Sequence, residues 1–540
     1  MITIKSYYKI AGTLFALILV ASSCTKDFNE LNTNPAGVTD EEAMGDFALA
    51  ATFLAQAQRA IIPENVGEYQ LANNLTSDAY GGYFASQTPF VGNANNLTYS
   101  LVPSWYSSLW VDRYIRAMNP LYRVEMLSRG DENLQDIFAF AKILKVSAMH
   151  RTSDKVGPII YGNYNLPDEK DRLLYDSQED AYRLFFKDLD TAVTILKTYI
   201  DQEVSAAMLK SDLAYSSNNY DRWLRIANTL RLRLALRVVY RDPALAKSEG
   251  EKALLPENGG LLESTDDNCY IRLSTDHPLN IISTTWSDTR MNANIESILG
   301  GYGDPRLEKM FLPATDAAVK AEFKGIRSGI RIDAKSRYDN FSKLVAQPGQ
   351  MPLMVASESR FLKAEAALRG WNHAGDAKTN YENGIDRSFE RYGLSAQSSA
   401  YKGNANAQPT PYVDPKAVNA GENDVKAGSK FLSTVTIKWE EGDDRQRKLE
   451  RIITQKWIAM FPDGDEAWAE FRRSGYPVLF PVVVNYSNNM IPTDPGIRRM
   501  PYPEREYNSN SEAVNQAVEL LGGPDHGGTR LWWDVENKAF

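Results

Sequence analysis

The stretch "DSQEDAYRLFFKDLDTAVTIL", residues 176–196, decides the fold class of this 540-residue chain. Its apolar side chains recur at the spacing of one helix face, and they are Tyr182, Phe185, Phe186, Leu189, Val193 and Leu196. An upstream segment has the same period in Leu134, Ile137, Phe138, Ala141, Leu144 and Ala148. Each segment predicts an amphipathic helix with one buried side, so together they favour a helical scaffold.

Further helices are predicted along the rest of the chain, mostly in pairs. The segments are 103–127, 132–152, 177–197, 220–240, 357–369, 376–392 and 445–461, after a first helix expected from Thr39, where "TDEE" has capping-box spacing. Such pairs are typical of tetratricopeptide-like packing, although no strict repeat of about 34 residues is present. We therefore expect a mostly α fold: a tetratricopeptide-like helical-repeat scaffold with long irregular loops and few short strands.

Long segments without helical period separate the predicted helices. They are residues 74–102, 258–290, 322–352, 394–435 and 474–510. Loops longer than about 15 residues are uncommon in compact proteins and tend to be functional. We expect the helices to form a scaffold and these segments to form the surface that meets a ligand or partner.

The amino terminus has the layout of a secretory signal that ends at a cysteine. Lys5 and Lys9 precede the apolar run "IAGTLFALILVA", and small residues lead to Cys24. This order resembles the bacterial lipoprotein box, so we predict a lipoprotein signal peptide over residues 1–23 and lipid attachment at Cys24. The alternative is a plain secretory signal that is cut nearby, with Cys24 incidental.

The signal prediction sets the expected domain organisation. Residues 24–38 would form a lipidated tether, and residues 39–540 one domain with the helical scaffold and its ligand-facing loops. If Cys24 is acylated, Cys269 is the only other cysteine and an intrachain disulfide is excluded. We expect Cys269 to be a small buried residue rather than a reactive thiol.

Composition excludes two classes of protein. The formal net charge is −9, and basic residues do not form the clusters that phosphate contacts need, so nucleic acid is not an expected partner. A membrane-spanning helix needs roughly 20 apolar residues, and the amino-terminal run stops well short of that length. A polytopic membrane protein is therefore not expected.

The sequence offers little chemistry for an enzyme. It has four histidines, none paired at the helical spacing of a zinc site. In "GIRSG", Ser328 stands one residue away from the nucleophile-elbow position. The run "DGDE" at 463–466 carries oxygens for calcium but lacks the calcium-loop pattern, so a helix amino terminus is the preferred interpretation. We expect a protein that is not an enzyme and needs no cofactor.

Aromatic side chains on irregular segments favour a binding function. In "SDAYGGYFASQTPFVGN", residues 77–93, rings stand among glycines, where they can form a flat platform that stacks on a sugar or grips a peptide. Similar positions occur in "TTWSDTR" and "SRYDNF". The candidate ligand-binding residues are Tyr80, Tyr83, Phe84, Trp286, Arg290 and Tyr338. At each position the alternative is a ring that pins its loop to the scaffold.

Other aromatic residues are expected in the core. Five tryptophans stand at helical spacing, namely Trp105, Trp110, Trp223, Trp457 and Trp468. They are more typical of helix packing than of ligand contact.

Several long motifs resemble one protein family. They are "ASESRFLKAEAALRGW" at 356–371, "IITQKWIAMFPDGDEAWAEFRRSGYPVL" at 452–479, "GIRRMPYPEREYNSN" at 496–510 and "LWWD" at 531–534. These motifs resemble the SusD/RagB family of nutrient-binding outer-membrane lipoproteins of the Bacteroidetes, in a branch distinct from the starch-binding prototype. Further matches at 176–196, 220–238 and 303–311 extend the resemblance over nearly the whole mature chain.

The resemblance implies a surface-exposed lipoprotein, anchored in the outer membrane through acylated Cys24. Such proteins capture a glycan, or in some branches a peptide, and hand it to a SusC-like TonB-dependent transporter, which is the expected partner. The family carries no catalytic residues, and its sugar contacts lie on variable loops, so the candidate residues rest on the loop argument alone. Two alternatives remain: a helical-repeat interaction scaffold without a small-ligand site, and a surface glycan hydrolase.

Overall fold

The computed structural model describes residues 48–203, 212–215 and 220–540. The chain separates into two compact units, residues 1–50 and 51–540, and all but the last three residues of the first unit fall outside the described ranges. The predicted signal peptide, Cys24, the tether and the helix start at Thr39 therefore also lie outside them. Within the described residues, no helix is both long and apolar enough to cross a membrane.

Helices make up about half of the described part of the chain, and strands very little of it. In chain order the α-helices are Ala48–Ile61 (α1), Val66–Tyr69 (α2), Asp78–Tyr80 (α3), Pro103–Asp112 (α4), Asn119–Ser128 (α5), Gln135–Val156 (α6), Gln178–Asp201 (α7), Tyr220–Arg237 (α8), Pro243–Leu254 (α9), Pro278–Asn280 (α10), Ala293–Ile295 (α11), Leu307–Met310 (α12), Ala356–Leu368 (α13), Ala377–Arg391 (α14), Ser395–Lys402 (α15), Arg445–Ala459 (α16), Gly464–Ser474 (α17), Glu504–Ser509 (α18) and Ser511–Leu521 (α19). These bounds confirm the predicted helices of the scaffold.

Helix α7 shows why the periodic segments fold as predicted. Ser177 caps its amino terminus, because the Ser177 hydroxyl accepts a hydrogen bond from the backbone N–H of Asp180 at 3.0 Å. Phe185 and Leu189, on the apolar face, are fully buried. This face packs against α6, and α8 packs on α7 in turn. Helices α13 and α14 form a second adjacent pair, with α16 packed on both.

Within the described ranges, four π-helical segments interrupt or extend the α-helices, namely Gln70–Ser77, Arg113–Met118, Ile281–Thr285 and Glu296–Gly300. The first corrects a prediction, because the segment expected to be irregular from residue 74 stays helical as far as Tyr80. Its buried side chains are largely polar, and the Ser77 hydroxyl donates to the Asp465 carboxylate at 2.5 Å. A helix with a polar buried face has no apolar period for the sequence to reveal.

The strands are few and short, as expected. They are Phe84–Ala85 (β1), Cys269–Arg272 (β2), Arg290–Met291 (β3) and Gln350–Met354 (β4). Strand β1 pairs antiparallel with β3, so that Phe84 stands opposite Met291, and β2 pairs antiparallel with β4. Each pair joins two of the segments predicted as irregular, which fixes those segments to one another.

The carboxyl-terminal motifs lie in the core. Trp457 and Trp468 are buried, as are Trp110 and Trp223, whereas Trp105 is half-buried. Asp463 caps α17 by accepting from the backbone N–H of Glu466, which agrees with the helix start predicted for "DGDE".

The acidic side chains of "DGDE" pair with buried cations. Arg151 donates to both oxygens of Asp463 at 2.7 Å, and the Lys155 ammonium lies 2.6 Å from Asp465. The oxygens that the sequence offers to calcium are therefore occupied by basic side chains. The arginines of the motif are buried too, and Arg473 pairs with Glu365 at 2.7 Å.

Candidate ligand-binding face

Three loops that are far apart in the sequence meet beside the β1–β3 pair. They are residues 86–93, 284–288 and 332–337, and we call this surface the loop face. The Asn93 side chain joins the first loop to the third: its amide N–H donates to the Ile332 carbonyl and its oxygen accepts from the Ile332 backbone N–H, each at 2.9 Å. Reciprocal bonds of this kind fix both loops without a regular strand.

Asp288 joins all three loops at one carboxylate. One of its oxygens accepts from the Thr88 hydroxyl at 2.6 Å and from the Lys335 ammonium at 2.9 Å. The other accepts from the Gln70 amide at 3.0 Å. Because these three donors come from three separate parts of the chain, replacing Asp288 would release all of them together.

The Trp286 indole is exposed to solvent on the loop that Asp288 fixes. The side chain is 38 % exposed, which is unusual for a ring of its size. Its backbone is held on both sides, because Lys335 donates to the Trp286 carbonyl at 2.6 Å and Gln87 donates to the Ser287 carbonyl. The left-handed conformation of Ser287, with φ +52°, turns the chain directly after the ring. An exposed ring on a rigid backbone is suited to stacking.

Tyr80 is a half-buried member of the predicted site. Its hydroxyl donates to the Asn96 carbonyl at 3.0 Å, and its ring packs against Trp468 with 5.1 Å between centroids. Burial raises the pKa of this phenol well above its usual value. Tyr80 lines a cleft of about 60 Å³ that shares lining residues with a smaller cavity bordered by Thr88 of the loop face. Ligand pockets are usually roughly 300–1,000 Å³, so this cleft admits a substituent rather than a whole sugar.

Tyr83 and Phe84 lie in the core instead of on the surface. Both are fully buried, and the Tyr83 hydroxyl donates to the Trp457 carbonyl at 2.5 Å. The Phe84 ring packs against Phe311 and Phe461. The β1–β3 pairing turns these two rings inward, so their expected contact with a ligand does not hold in this conformation. The alternative interpretation, that a ring pins the loop to the scaffold, fits both.

Arg290 and Tyr338 are buried as well. The Arg290 guanidinium donates to the backbone carbonyls of Asp339 and Thr289, each at 2.7 Å. Burial lowers the pKa of Arg290 to about 10. The Tyr338 hydroxyl donates to Asp414 at 2.8 Å. Both side chains hold the loop face together from beneath, so the expectation that they meet a ligand directly is corrected in the same way.

The sequence reasoning missed the polar groups that surround Trp286. Thr88, Asp288 and Lys335 are single polar residues without a motif, and 200 positions separate the first two in the sequence. They come together beside the β1–β3 pair, and no local sequence pattern predicts that pairing.

The described residues do not assemble a metal centre. Across 48–203, 212–215 and 220–540, no three His, Cys, Asp or Glu side chains come together in a way that could hold a metal ion. His150 and His277 are buried, and burial lowers the pKa of His277 to about 4. Cys269 is a buried free thiol whose pKa burial raises well above its usual value, so it has the expected character.

Comparison with known proteins assigns the chain to a family. The SusD-like family, described as "Susd and RagB outer membrane lipoprotein", matches residues 30–534. The chain belongs to the SusD/RagB family. The family match and the helical fold together confirm both the resemblance seen in the motifs and the predicted fold class.

Solved structures of SusD homologues are similar over nearly their whole length. A chitin-binding SusD homologue from Flavobacterium johnsoniae is 40% identical, with a TM-score of 0.85, and the match covers 91% of this chain and 100% of that one. A SusD homologue from Bacteroides vulgatus is 35% identical, with a TM-score of 0.86 and coverage of 92% and 100%. A SusD-like protein from Bacteroides thetaiotaomicron is 33% identical, with a TM-score of 0.82 and coverage of 91% and 100%. A comparison with curated protein sequences gives no match.

Proposed function

We propose that this SusD-like protein is a cell-surface glycan-binding lipoprotein that captures an oligosaccharide on the loop face and delivers it to a SusC-like TonB-dependent transporter. The observation that carries the proposal is the exposed indole of Trp286 on a backbone fixed by hydrogen bonds. A flat apolar ring flanked by polar groups matches a pyranose, which has apolar C–H faces and an equatorial belt of hydroxyls.

The polar neighbours of Trp286 have spare hydrogen-bonding capacity. An ammonium has three N–H donors, and Lys335 uses two of them on Trp286 and Asp288. The Thr88 hydroxyl donates to Asp288, which leaves its oxygen lone pairs as acceptors. A sugar stacked on the indole would therefore find one donor and one acceptor that are already oriented. Preorganised groups lose little entropy on binding, which suits a shallow site.

We further propose that the ligand is an oligomer of N-acetylglucosamine. The support comes from relatives: the Flavobacterium johnsoniae homologue is described as chitin-binding, and so is a second similar structure at 26% identity with a TM-score of 0.71. The small cleft beside Tyr80 is suited to a substituent such as an acetamido methyl group. Binding without bond cleavage is part of the proposal, so this protein would not be an enzyme.

Anchoring and delivery complete the proposal. Cys24 would carry acyl chains after removal of residues 1–23, and residues 24–38 would tether the domain from residue 39 onward to the outer membrane. One acyl chain anchors a protein only marginally and two or more anchor it stably. The transporter would take the ligand from the loop face, and weak capture by a single exposed ring would permit that transfer.

Calorimetric titration tests the proposed function. The full chain, purified in a non-glycosidic detergent, is titrated with the N-acetylglucosamine hexamer beside Trp286→Ala and Leu520→Ala. Leu520 is a matched control because it is a similarly exposed apolar side chain, 41 % exposed, on α19. We expect Trp286→Ala to weaken binding at least about tenfold, equivalent to about 1.4 kcal/mol, and Leu520→Ala to bind like the parent.

Three results would each overturn a part of this proposal. Equal affinity of the parent and Trp286→Ala would remove the loop face as the site. Binding of peptides but of no oligosaccharide in a parallel panel would replace the ligand class. Shortening of the hexamer during the titration, followed by mass spectrometry, would favour the hydrolase alternative instead.

A further inference from the structure

A second aromatic groove lies away from the residues of the loop face. Its volume is about 350 Å³, and it is formed by α4 with the π-helical segment that follows, by the loop before α7, and by α18. Its principal lining residues are Trp110, Tyr114, Ile115, Tyr164, Asp171 and Arg505. None of them belongs to the three loops described above.

The wall of this groove is a fixed series of rings. Tyr114 and Tyr164 are nearly parallel, with 6.1 Å between centroids and 16° between planes, and Tyr114 contacts Trp110 at 4.7 Å. Trp110 stacks on Tyr175 behind it at 5.5 Å. The Tyr114 hydroxyl accepts from the Ile160 backbone N–H at 2.8 Å, which sets its orientation. The rings are therefore already in place before any ligand arrives.

Apolar surface continues outward from the rings. Tyr114 and Tyr164 are each half-buried, and Ile115, beside Tyr114, is 54 % exposed. Scaffold helices normally turn such side chains inward. The exposed Ile115 widens the apolar wall, so that a flat ligand can lie along it.

One basic and two acidic side chains line the groove, and one of the acids, Glu506, accepts from the Tyr175 hydroxyl at 2.7 Å. Among the described residues, the Arg505 guanidinium and the Asp171 carboxylate have no ion-pair or side-chain hydrogen-bond partner. The Asp171 backbone is held in a left-handed conformation, with φ +60°, by its N–H donating to the Asp168 carbonyl at 2.9 Å. Nearby, the Asn510 amide N–H donates to the Leu173 carbonyl at 3.1 Å, which ties α18 to the loop.

We propose that this groove, the Tyr164 groove, is a second saccharide-binding site that takes a neutral pyranose unit. The rings would stack on the C–H face of the sugar, while Asp171 would accept from, and Arg505 donate to, its hydroxyls. A carboxylate accepts through two oxygens and a guanidinium donates in a fork, which suits adjacent hydroxyls. An anionic sugar is disfavoured because two carboxylates, those of Asp171 and Glu506, line the groove beside one guanidinium. The volume lies in the range of roughly 300–1,000 Å³ that is usual for small-ligand sites.

A second site would change how the protein holds a polymer. A long glycan that occupies the loop face and the Tyr164 groove at once gains avidity without any new contact within either site. The ligand class rests on the proposed function, whereas the site itself is separate from it.

Variants in both sites test the proposal by calorimetry with the N-acetylglucosamine hexamer. The full chain is compared as parent, Trp286→Ala, Tyr164→Ala, Tyr164→Phe and two double variants, in which Trp286→Ala is combined with Tyr164→Ala or with Tyr164→Phe. We expect Trp286→Ala to retain a weaker site, whose affinity falls at least about tenfold when Tyr164→Ala is added and is unchanged when Tyr164→Phe is added. Tyr164→Phe keeps the ring and should bind like the parent, which separates stacking from a loss of folding.

Each outcome decides between the two sites. Residual binding in Trp286→Ala that is removed by Tyr164→Ala, but not by Tyr164→Phe, supports the groove. Abolition of all binding by Trp286→Ala alone, with Tyr164→Ala binding like the parent, overturns the groove and leaves the proposed function standing. Loss of binding in Tyr164→Ala with full binding in Trp286→Ala overturns the loop-face assignment and supports the groove. Absence of oligosaccharide binding in the parent overturns both.

Discussion

Glu466 is a buried carboxylate of α17 that lies among three basic side chains, Arg237, Lys456 and Arg233. It is fully enclosed, accepting from Arg237 at 2.5 Å and from Lys456 at 3.2 Å, and the Arg233 Nε lies 3.7 Å away. Glu466→Ala would leave these buried cations with one carboxylate fewer. Removal of one partner from a buried ion pair costs about 3–5 kcal/mol, because the remaining charge stays desolvated.

That cost translates into a defined change in thermal stability. The entropy of unfolding is about 2.1 cal/mol/K per residue, which over residues 51–540 amounts to about 1 kcal/mol/K. The Tm of Glu466→Ala should therefore fall by about 3–5 °C, measured by calorimetry. The matched control is Glu179→Ala, which breaks an exposed pair with Arg183 whose side chains are 42 % and 48 % exposed. An exposed pair contributes less than about 1 kcal/mol, so the control should shift by about 1 °C or less.

The effect of Glu466→Ala on the Tm is expected to depend on pH. Burial alone would raise the pKa of Glu466, but Arg237, Arg233 and Lys456 hold it well below its usual value of 4.5. A lowered folded pKa contributes stability above pH 4.5 that is lost as the pH falls. The difference in Tm between the parent and Glu466→Ala should therefore shrink below pH 4.5. Equal shifts of Glu466→Ala and Glu179→Ala at pH 7 would refute the reasoning.

Burial, reinforced by the negative charge of Asp465, raises the pKa of Asp78 from its usual value of 3.8 to about 8 in the folded protein. The unfolded chain therefore ionises at Asp78 more readily than the folded protein, and the folded state loses stability as the pH rises above 3.8. Asp78→Asn should accordingly raise the Tm at pH 7 and give no gain near pH 4; a lower Tm at both would contradict this. A Cβ on Gly464 would lie 2.5 Å from the Asp78 Cα, whereas a Cβ on Gly442 would meet no atom within 4 Å. Gly464→Ala should therefore lower the Tm by about 1–3 °C, and Gly442→Ala should leave the Tm unchanged. Cys24→Ala should move the protein from the membrane fraction to the soluble fraction of lysed cells, and retention in the membrane would argue against acylation.

The scaffold could be predicted because its helices bury apolar faces. The period in α6 and α7 follows directly from that burial, and a carboxylate followed by small and aromatic residues marked the start of α17. The segment Gln70–Ser77 escaped prediction because its buried face is polar and its partners lie elsewhere in the chain. Helix periodicity reports apolar burial alone.

The loop face could be predicted only in part. Trp286 is exposed as the site prediction requires, and Tyr80 borders a cleft, but Tyr83 and Phe84 turn into the core. Their inward direction comes from the pairing of β1 with β3, strands of two residues each. Such short pairings between distant segments leave no alternating pattern in the sequence, so rings that meet a ligand and rings that pin a loop look alike there.

The central claim is that a sugar ring lies on the indole of Trp286. A crystal structure of the full chain with the N-acetylglucosamine hexamer tests it most directly. We predict a pyranose in van der Waals contact with that indole, with its hydroxyls hydrogen-bonded to Lys335 and Thr88. A bound oligosaccharide whose nearest ring makes no contact with Trp286 would contradict the account.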